Sequence, residues 1–463
     1  MSELEQIVSH IDTNFEHSME RLFELLRIES ISTDPAYAGE CRRAADWLTG
    51  TLCGLGFDAA TRDTIGHPMV VGHYAPPGGA DGIPHVLFYG HYDVQPVDPL
   101  ELWDTPPFEP RRIVVDGSER IVARGSADDK GQLMTFLEAS RAWIEVAGQL
   151  PVKVTILFEG EEESGSKSLG PFLDSYAGEL KADVALVCDT NMWDAKTPGI
   201  TTRLRGLLMD EVIVTGPSLD LHSGYYGGVA HNPIHILSAI ITDLHDADGR
   251  VTVPGFYDRV EPLPDHVRGQ WEALHFEETA FLEDIGQTSQ SGEAGKGVLE
   301  KVWARPTCDV NGIIGGYTGE GTKTVIPSTA AAKVSFRLVG RQDPETIRTA
   351  FRNFVRAKLP DGCSVEFIHH KGSGAIEVPT DNPYLDKAAG ALEEEFGVPA
   401  AIIGGGGSIP IVRAFDTVLG MDSLLIGFGL GDDRIHSPNE KYNVSSYRHG
   451  MRSWARILNA LAG

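Results

Sequence analysis

Residues 158–166, FEGEEESGS, put four carboxylates (Glu159, Glu161, Glu162 and Glu163) into five positions directly after the apolar run Val152 to Phe158. Like charges this close repel one another, so the arrangement asks for positive charge nearby. Other imidazoles and carboxylates sit in comparable places. His91 and Asp93 follow the apolar run HVLFY in GHYDV, Asp189 follows VALVC, and His436 follows SLLIGFG through a short Gly/Asp loop. Asp128 lies in RGSADDKG, just before a helical pattern that begins near Gly131. Taken singly, Glu159 and Glu161 read as a solvated loop and His91 as a satisfied structural histidine. The shared position carries the argument, because each group ends a predicted strand or starts a helix. In an open α/β sheet such ends converge on one crevice. Two imidazoles among several carboxylates suit zinc, manganese or cobalt better than calcium. A pair of dications would offset the repulsion within the cluster.

The elements that must hold these groups are legible as patterns. Residues 15–27 place Phe15, Met19, Leu22, Phe23 and Leu26 on one helical face, and residues 42–55 read as a second helix. Apolar β-rich runs at 85–89, 152–158 and 184–188 alternate with a helix over 131–146, which predicts an α/β layer with central strands buried on both faces. After residue 200 the pattern changes. Residues 208–214 alternate as a half-exposed strand, and a helix begins at Pro233. Residues 262–300 are acidic and mostly helical, with a Ser/Gly-rich break at 288–297. Two strands within 324–338, a helix over 343–358 and a strand over 363–368 complete a β-α-β-β-α-β order. Helix, strand and helix then return at 384–396, 423–428 and 445–461. The expected architecture is a catalytic α/β domain, residues 1–205 and 372–463, with a mostly parallel sheet flanked by helices. A smaller α+β domain, residues 206–371, interrupts it.

Composition narrows the partners. The chain has 463 residues, too many for one core, and a formal net charge of −27, which disfavours nucleic acid and anionic membranes. Five cysteines form no CxxC pair and no even disulfide set, and MSELEQIVSH lacks the basic start and apolar stretch of a signal peptide. No apolar run approaches the ~20 residues that span a bilayer. A cytoplasmic location is expected. HNPIH spaces His231 and His235 four apart, but it lacks the glutamate of a zinc-protease helix, and Pro233 starts a helix there. Cys188 reads as a small strand residue with no base beside it.

GHYDVQP, RGSADDKG, EGEEESGS, LHSGYYGG, GGYTGEGTKTVIP and HSPNE occur in the order and spacing of the M20 family of metallopeptidases, which the chain resembles from about residue 15 to its end. GEAGKGVLEKVWARPTCDVNGI is similar to the dipeptidase branch, the group of cytosolic nonspecific dipeptidase and carnosinase-like enzymes. The resemblance implies two divalent ions per subunit, zinc most of all and otherwise manganese or cobalt, and an inserted lid domain through which two subunits dimerise. It implies that His91 and Asp189 hold one ion, that Glu163 and His436 hold the other, and that Asp128 bridges both beside a cis peptide to Asp129. Glu162 matches the general base, Asp93 the residue that orients His91, and His222 of the lid a donor to the tetrahedral oxyanion. Arg337 matches an arginine that grips the substrate carboxylate. Thr324, Ser408 and a histidine of HHKGSG, His370 rather than His369, match further substrate contacts. Glu159 and Glu161 match no catalytic position.

One departure from the family stands out. Gly404 and Gly405 occupy the places before GGSIP where relatives usually carry Arg-Glu or Arg-Ser. The expected reaction is hydrolysis of the amide bond of a dipeptide-like substrate with a free carboxylate. The nearest alternative is removal of an acyl group from an N-acyl amino acid by the same machinery. A dinucleotide-binding oxidoreductase is remote, because no GxGxxG follows the first strand.

Overall fold

The structure, a computed structural model, describes residues 1–77, 82–370, 372–407 and 409–463. The chain clusters into two compact units: Met1–Thr202 with Val378–Ile403 and Pro410–Gly463, and Arg203–Glu377 with Gly404–Ile409.

In the first unit, the strands lie in the order Asp58–Arg62, Met69–Tyr74, Lys153–Glu159, His85–His91, Val184–Val187, Ser423–Leu425 and Gly199–Leu204, and the unit boundary falls inside the last. The four central strands pair parallel, and the flanking pairs are antiparallel. The register sets His91 opposite Glu159, and Tyr89 and Leu425 opposite Val187. The carboxyl ends of the central strands therefore finish along one edge. These strands read as continuous apolar runs because both of their faces are covered. On one face, helices Lys130–Ala147 and Val444–Ala462 bring Phe136 and Trp454 against Phe88. The two phenylalanine rings stack at 3.8 Å, and the indole meets Phe88 edge-on at 5.5 Å.

Helix Glu3–Thr13, not expected from the sequence, buries Ile7, Val8 and Ile11 and is closed by a capping box between Ser2 and Glu5. A hairpin, Arg111–Val115 with Ser118–Val122, also escaped the pattern reading. Its first strand is largely exposed and so carries no apolar alternation.

The second unit holds a four-stranded antiparallel sheet in the order Thr307–Gly315, Thr329–Leu338, Gly206–Thr215, Ser364–His369. Helices Pro233–Thr242 and Pro344–Arg356 contribute Leu237, Ile240, Phe351 and Val355 to its core. Of the two strands expected within 324–338, the first lies instead at 307–315, and the second is Thr329–Leu338. A bulge between Val310 and Gly312 breaks the period-two alternation that would have revealed it. In the place expected for that first strand only Val325–Ile326 is extended, paired with Leu221–His222. Gly404–Ile409 clusters with this unit, whereas the sequence reading left it with the flanking segments. A Cβ on Gly404 would stand 2.6 Å from Cβ of Trp303, so the strand passes too close to that residue for any side chain.

Candidate metal centre

His91 ends its strand fully buried, and its Nε2 faces Asp128 Oδ1 at 3.0 Å. Its other ring nitrogen, Nδ1, lies 3.1 Å from the Asp93 carbonyl and 3.4 Å from Asp93 Oδ1. Asp93 also accepts the backbone N–H groups of Glu162 and Glu163, at 3.2 and 3.0 Å, and the Ser32 hydroxyl at 2.6 Å. One buried carboxylate thus fixes the His91 ring and the Glu162–Glu163 turn together. Close approach is needed here: a Cβ on Gly90 would fall 2.8 Å from Asp129 Oδ2, the oxygen that accepts the His91 N–H at 3.0 Å.

Asp128 presents its second oxygen, Oδ2, to His436 Nε2 at 2.9 Å, and that nitrogen is 3.2 Å from Glu163 Oε2. Two groups result, His91–Asp128–Asp189 and Asp128–Glu163–His436, each with its ligand atoms within 4.8 Å of one another. Asp128 belongs to both, one oxygen turned to each side, and the Asp128–Asp129 peptide is cis. Arg434 and His436 both adopt left-handed φ, 55° and 62°, in the short loop that turns the imidazole inward.

The charges fit a cation pair. Burial and then Asp128 push Asp189 well above the ordinary carboxylate range. Burial, then Glu163, Asp93 and Asp128 acting against His91, hold Glu162 at about 7. Asp128 itself is held low: burial would raise it, and His436 and His91 outweigh that. The His436 contacts with Asp128 and Glu163 raise its imidazole to about 10, and burial of His91 is overcome by Asp128 and Asp93. Imidazoles alone leave Asp189 and Glu162 biased toward their neutral forms. Divalent ions would supply the missing positive charge.

The outer glutamates are not a solvated loop. Glu159 is 0% and Glu161 5% exposed. Glu161 accepts the N–H groups of His67 and Ser168 at 3.1 and 2.9 Å, and Glu159 accepts the Tyr89 hydroxyl at 2.8 Å. Burial raises Glu159 to about 8. Glu161 braces the turn through backbone donors, and burial favours the neutral form of Glu159.

Two further positioning groups were inside the quoted motifs but were not singled out. Gln95 of GHYDVQP donates to Glu163 Oε2 at 2.7 Å. Glu440 of HSPNE accepts the N–H groups of Gly125, Ala127 and Asp128 at 3.0, 2.9 and 3.2 Å, and Arg124 Nη1 at 2.8 Å. Ser32, in contrast, had no sequence signal.

In the second unit, His222 is exposed, and its Nδ1 accepts the Gly224 N–H at 2.9 Å, which leaves Nε2 to carry the proton of the neutral ring. Thr324, His369 and His370 are exposed and Arg337 is half-buried. Ser408 lies outside the described residues. His231 and His235 join no metal-binding group among the described residues, and Cys188 is buried with its thiol pushed up by that burial.

A carboxylate common to two candidate metal-binding groups, two imidazoles and a further glutamate beside one of those groups fit a metal-dependent hydrolase. The chain belongs to peptidase family M20/M25/M40, which it matches over residues 87–460, and it is a metallopeptidase whose family uses divalent metal ions. It is 31% identical to Cys-Gly metallodipeptidase dug1 of Schizosaccharomyces pombe, over 99% of this chain and 98% of that protein. Human Beta-Ala-His dipeptidase is 29% identical over 99% of this chain and 93% of its own length. Among solved structures, an M20 family metallo-carboxypeptidase from Sulfolobus solfataricus aligns with a TM-score of 0.83 at 30% identity, covering 96% of this chain and 99% of that one.

Proposed function

We propose that this chain is a dinuclear dipeptidase that hydrolyses the amide bond of a dipeptide bearing a free carboxylate. The observation that carries the reading is the pair of ligand groups sharing Asp128, with Glu162 beside the ligand Glu163. The full-length likeness to dipeptidases named for Cys-Gly and Beta-Ala-His supports the substrate class. His91 and Asp189 would hold one ion, Glu163 and His436 the other, and Asp128 both, with zinc preferred and manganese or cobalt competent. When bound, the ions supply Lewis acidity toward water and the scissile carbonyl.

The side chains do the rest. Glu162 takes a proton from the attacking water and delivers it to the leaving nitrogen, a role that suits a carboxylate beside Glu163 but outside both candidate ligand groups. Asp93 keeps His91 and the Glu162 turn in register. His222 Nε2–H supplies a donor to the oxyanion, and Arg337 takes the substrate carboxylate in a planar fork, with Thr324, His370 and Ser408 as further contacts.

The second unit acts as lid and dimer contact in this reading. Its edge strand Thr307–Gly315 exposes Ile313 and Ile314 by 65% and 59%, an apolar edge that favours a like partner. All five cysteines are free, which suits a reducing cytoplasm. Among the described residues no helix is long and apolar enough to cross a membrane. A chelator should abolish cleavage of a dipeptide panel, and zinc, manganese or cobalt should restore it. N-acetyl amino acids should be poor substrates. Full activity in metal-free protein, or a preference for N-acetyl amino acids, would reject the reading.

A further inference from the structure

Within the second unit lies a cavity of about 640 Å³ whose lining includes Arg205, Lys301, Thr307 and Asp309, with Phe281 and Val302 among its apolar walls. Arg205 immediately precedes the strand Gly206–Thr215, along which residues alternate between buried and half-buried, and it shares the half-buried parity of Leu207. Leu207 pairs with Arg337, and Arg337 pairs on its other side with Thr307. Side chains directly opposite on one face of a sheet stand about 5 Å apart at Cβ. The cavity therefore begins beside Arg337, the residue to which the substrate carboxylate is given above.

The positive charges nearby fall into two kinds. Lys333 is neutralised by Glu211 at 2.8 Å, and Arg305 by Glu293 through contacts of 2.6 and 2.7 Å. Arg205 and Arg337 have no ion pair among the described residues. Among the described residues, Arg205 Nη1 reaches only the Lys301 carbonyl, at 3.5 Å, and its buried Nε has no acceptor. Lys301 Nζ donates to Gln290 Oε1 and the Ser291 carbonyl, at 2.9 and 2.8 Å, both neutral. Burial and then Arg337 push the Arg205 guanidinium down to about 10, with Asp309 acting against them. A buried donor without an acceptor is unfavourable, and a carboxylate in the cavity would satisfy it.

We propose that this cavity receives the side chain of the substrate's C-terminal residue, and that Arg205, with Lys301, selects dipeptides whose C-terminal residue carries a second carboxylate. Arg337 holds the α-carboxylate, and the apolar walls accept the methylenes that lead to the second one. The inference rests on the dipeptidase reading. Its test is the ratio of kcat/KM for Ala-Glu to that for the neutral isostere Ala-Gln. In the wild type the ratio should exceed one. Arg205→Met should lower it between about 10- and 100-fold, chiefly through KM for Ala-Glu, as expected for loss of a charged hydrogen bond. Arg205→Lys should recover part of the loss. Lys301→Gln should lower the ratio in the same direction, and it serves as the second variant if Arg205→Met does not fold. A wild-type ratio at or below one, or folded variants that leave the ratio unchanged, would overturn the proposal. If the wild type cleaved no dipeptide at all, the dipeptidase reading itself would fall.

Discussion

Glu162 and Glu163 are chemically identical neighbours, and their backbone N–H groups share one acceptor, Asp93. What separates them is surroundings. Glu163 lies 3.2 Å from His436 and takes a hydrogen bond from Gln95, whereas Glu162 joins neither ligand group. Glu162→Gln should therefore keep the bound metal and lose about two or more orders of magnitude in kcat. Glu163→Gln should instead lower metal occupancy, read by elemental analysis after dialysis. Equal metal content and equal turnover in the two variants would show that the roles are wrongly divided.

At the scale of elements, the Asp128 loop depends on a residue distant in sequence. Glu440, fully buried, gathers three backbone N–H groups and Arg124, itself 1% exposed. Glu440→Ala would leave that arginine buried and unpaired, so the folded state should lose about 3–5 kcal/mol by denaturant unfolding. Metal stoichiometry should fall in the fraction that folds, because Asp128 loses the acceptor for its own N–H. A variant of wild-type stability and metal content would deny Glu440 this positioning role. Helices Pro383–Phe396 and Val444–Ala462 meet through Glu395, which lies 2.8 Å from His449, 2.9 Å from Arg452 and 3.0 Å from Arg456. Burial alone would raise this carboxyl, and those partners hold it below its ordinary value. A depressed carboxyl stabilises the fold above its unfolded pKa, about 4.3, and the contribution is lost as pH falls through and below that value. Unfolding midpoints should drop over that window in the wild type, and more shallowly in Glu395→Gln.

For the whole molecule, the dimer reading makes a demand that no single subunit can meet. If the lid histidine serves the partner's metal centre, His222→Ala and Glu162→Ala homodimers should each be nearly inactive, since losing one oxyanion donor costs about two to three orders of magnitude. Mixed under conditions of subunit exchange, they should recover about a quarter of wild-type activity, because half the dimers would be mixed and each would hold one intact site of two. A mixture as inactive as its parents, with exchange demonstrated by mass, would mean that His222 serves its own subunit or has no catalytic role.

The sequence by itself determined the parallel core and pointed to the candidate metal-binding residues. Apolar runs such as Val152 to Phe158 are strands buried on both faces, and the groups at their carboxyl ends, His91 and Asp189, must share an edge once those strands pair parallel. It also marked the Glu cluster as needing positive charge. It misjudged Glu159 and Glu161, because a run of glutamates looks the same whether solvent or backbone donors surround it, and only packing brings the His67 and Ser168 N–H groups to Glu161. Strand Thr307–Gly315 was hidden by its bulge, and Glu440 by its separation of 312 residues from Asp128. Gly404 read as the loss of a side chain, and only the approach of Trp303 shows why none fits. Periodicity is local and reports which face is buried. Which donor meets which acceptor depends on how distant segments pack, and that was decided by the tertiary structure alone.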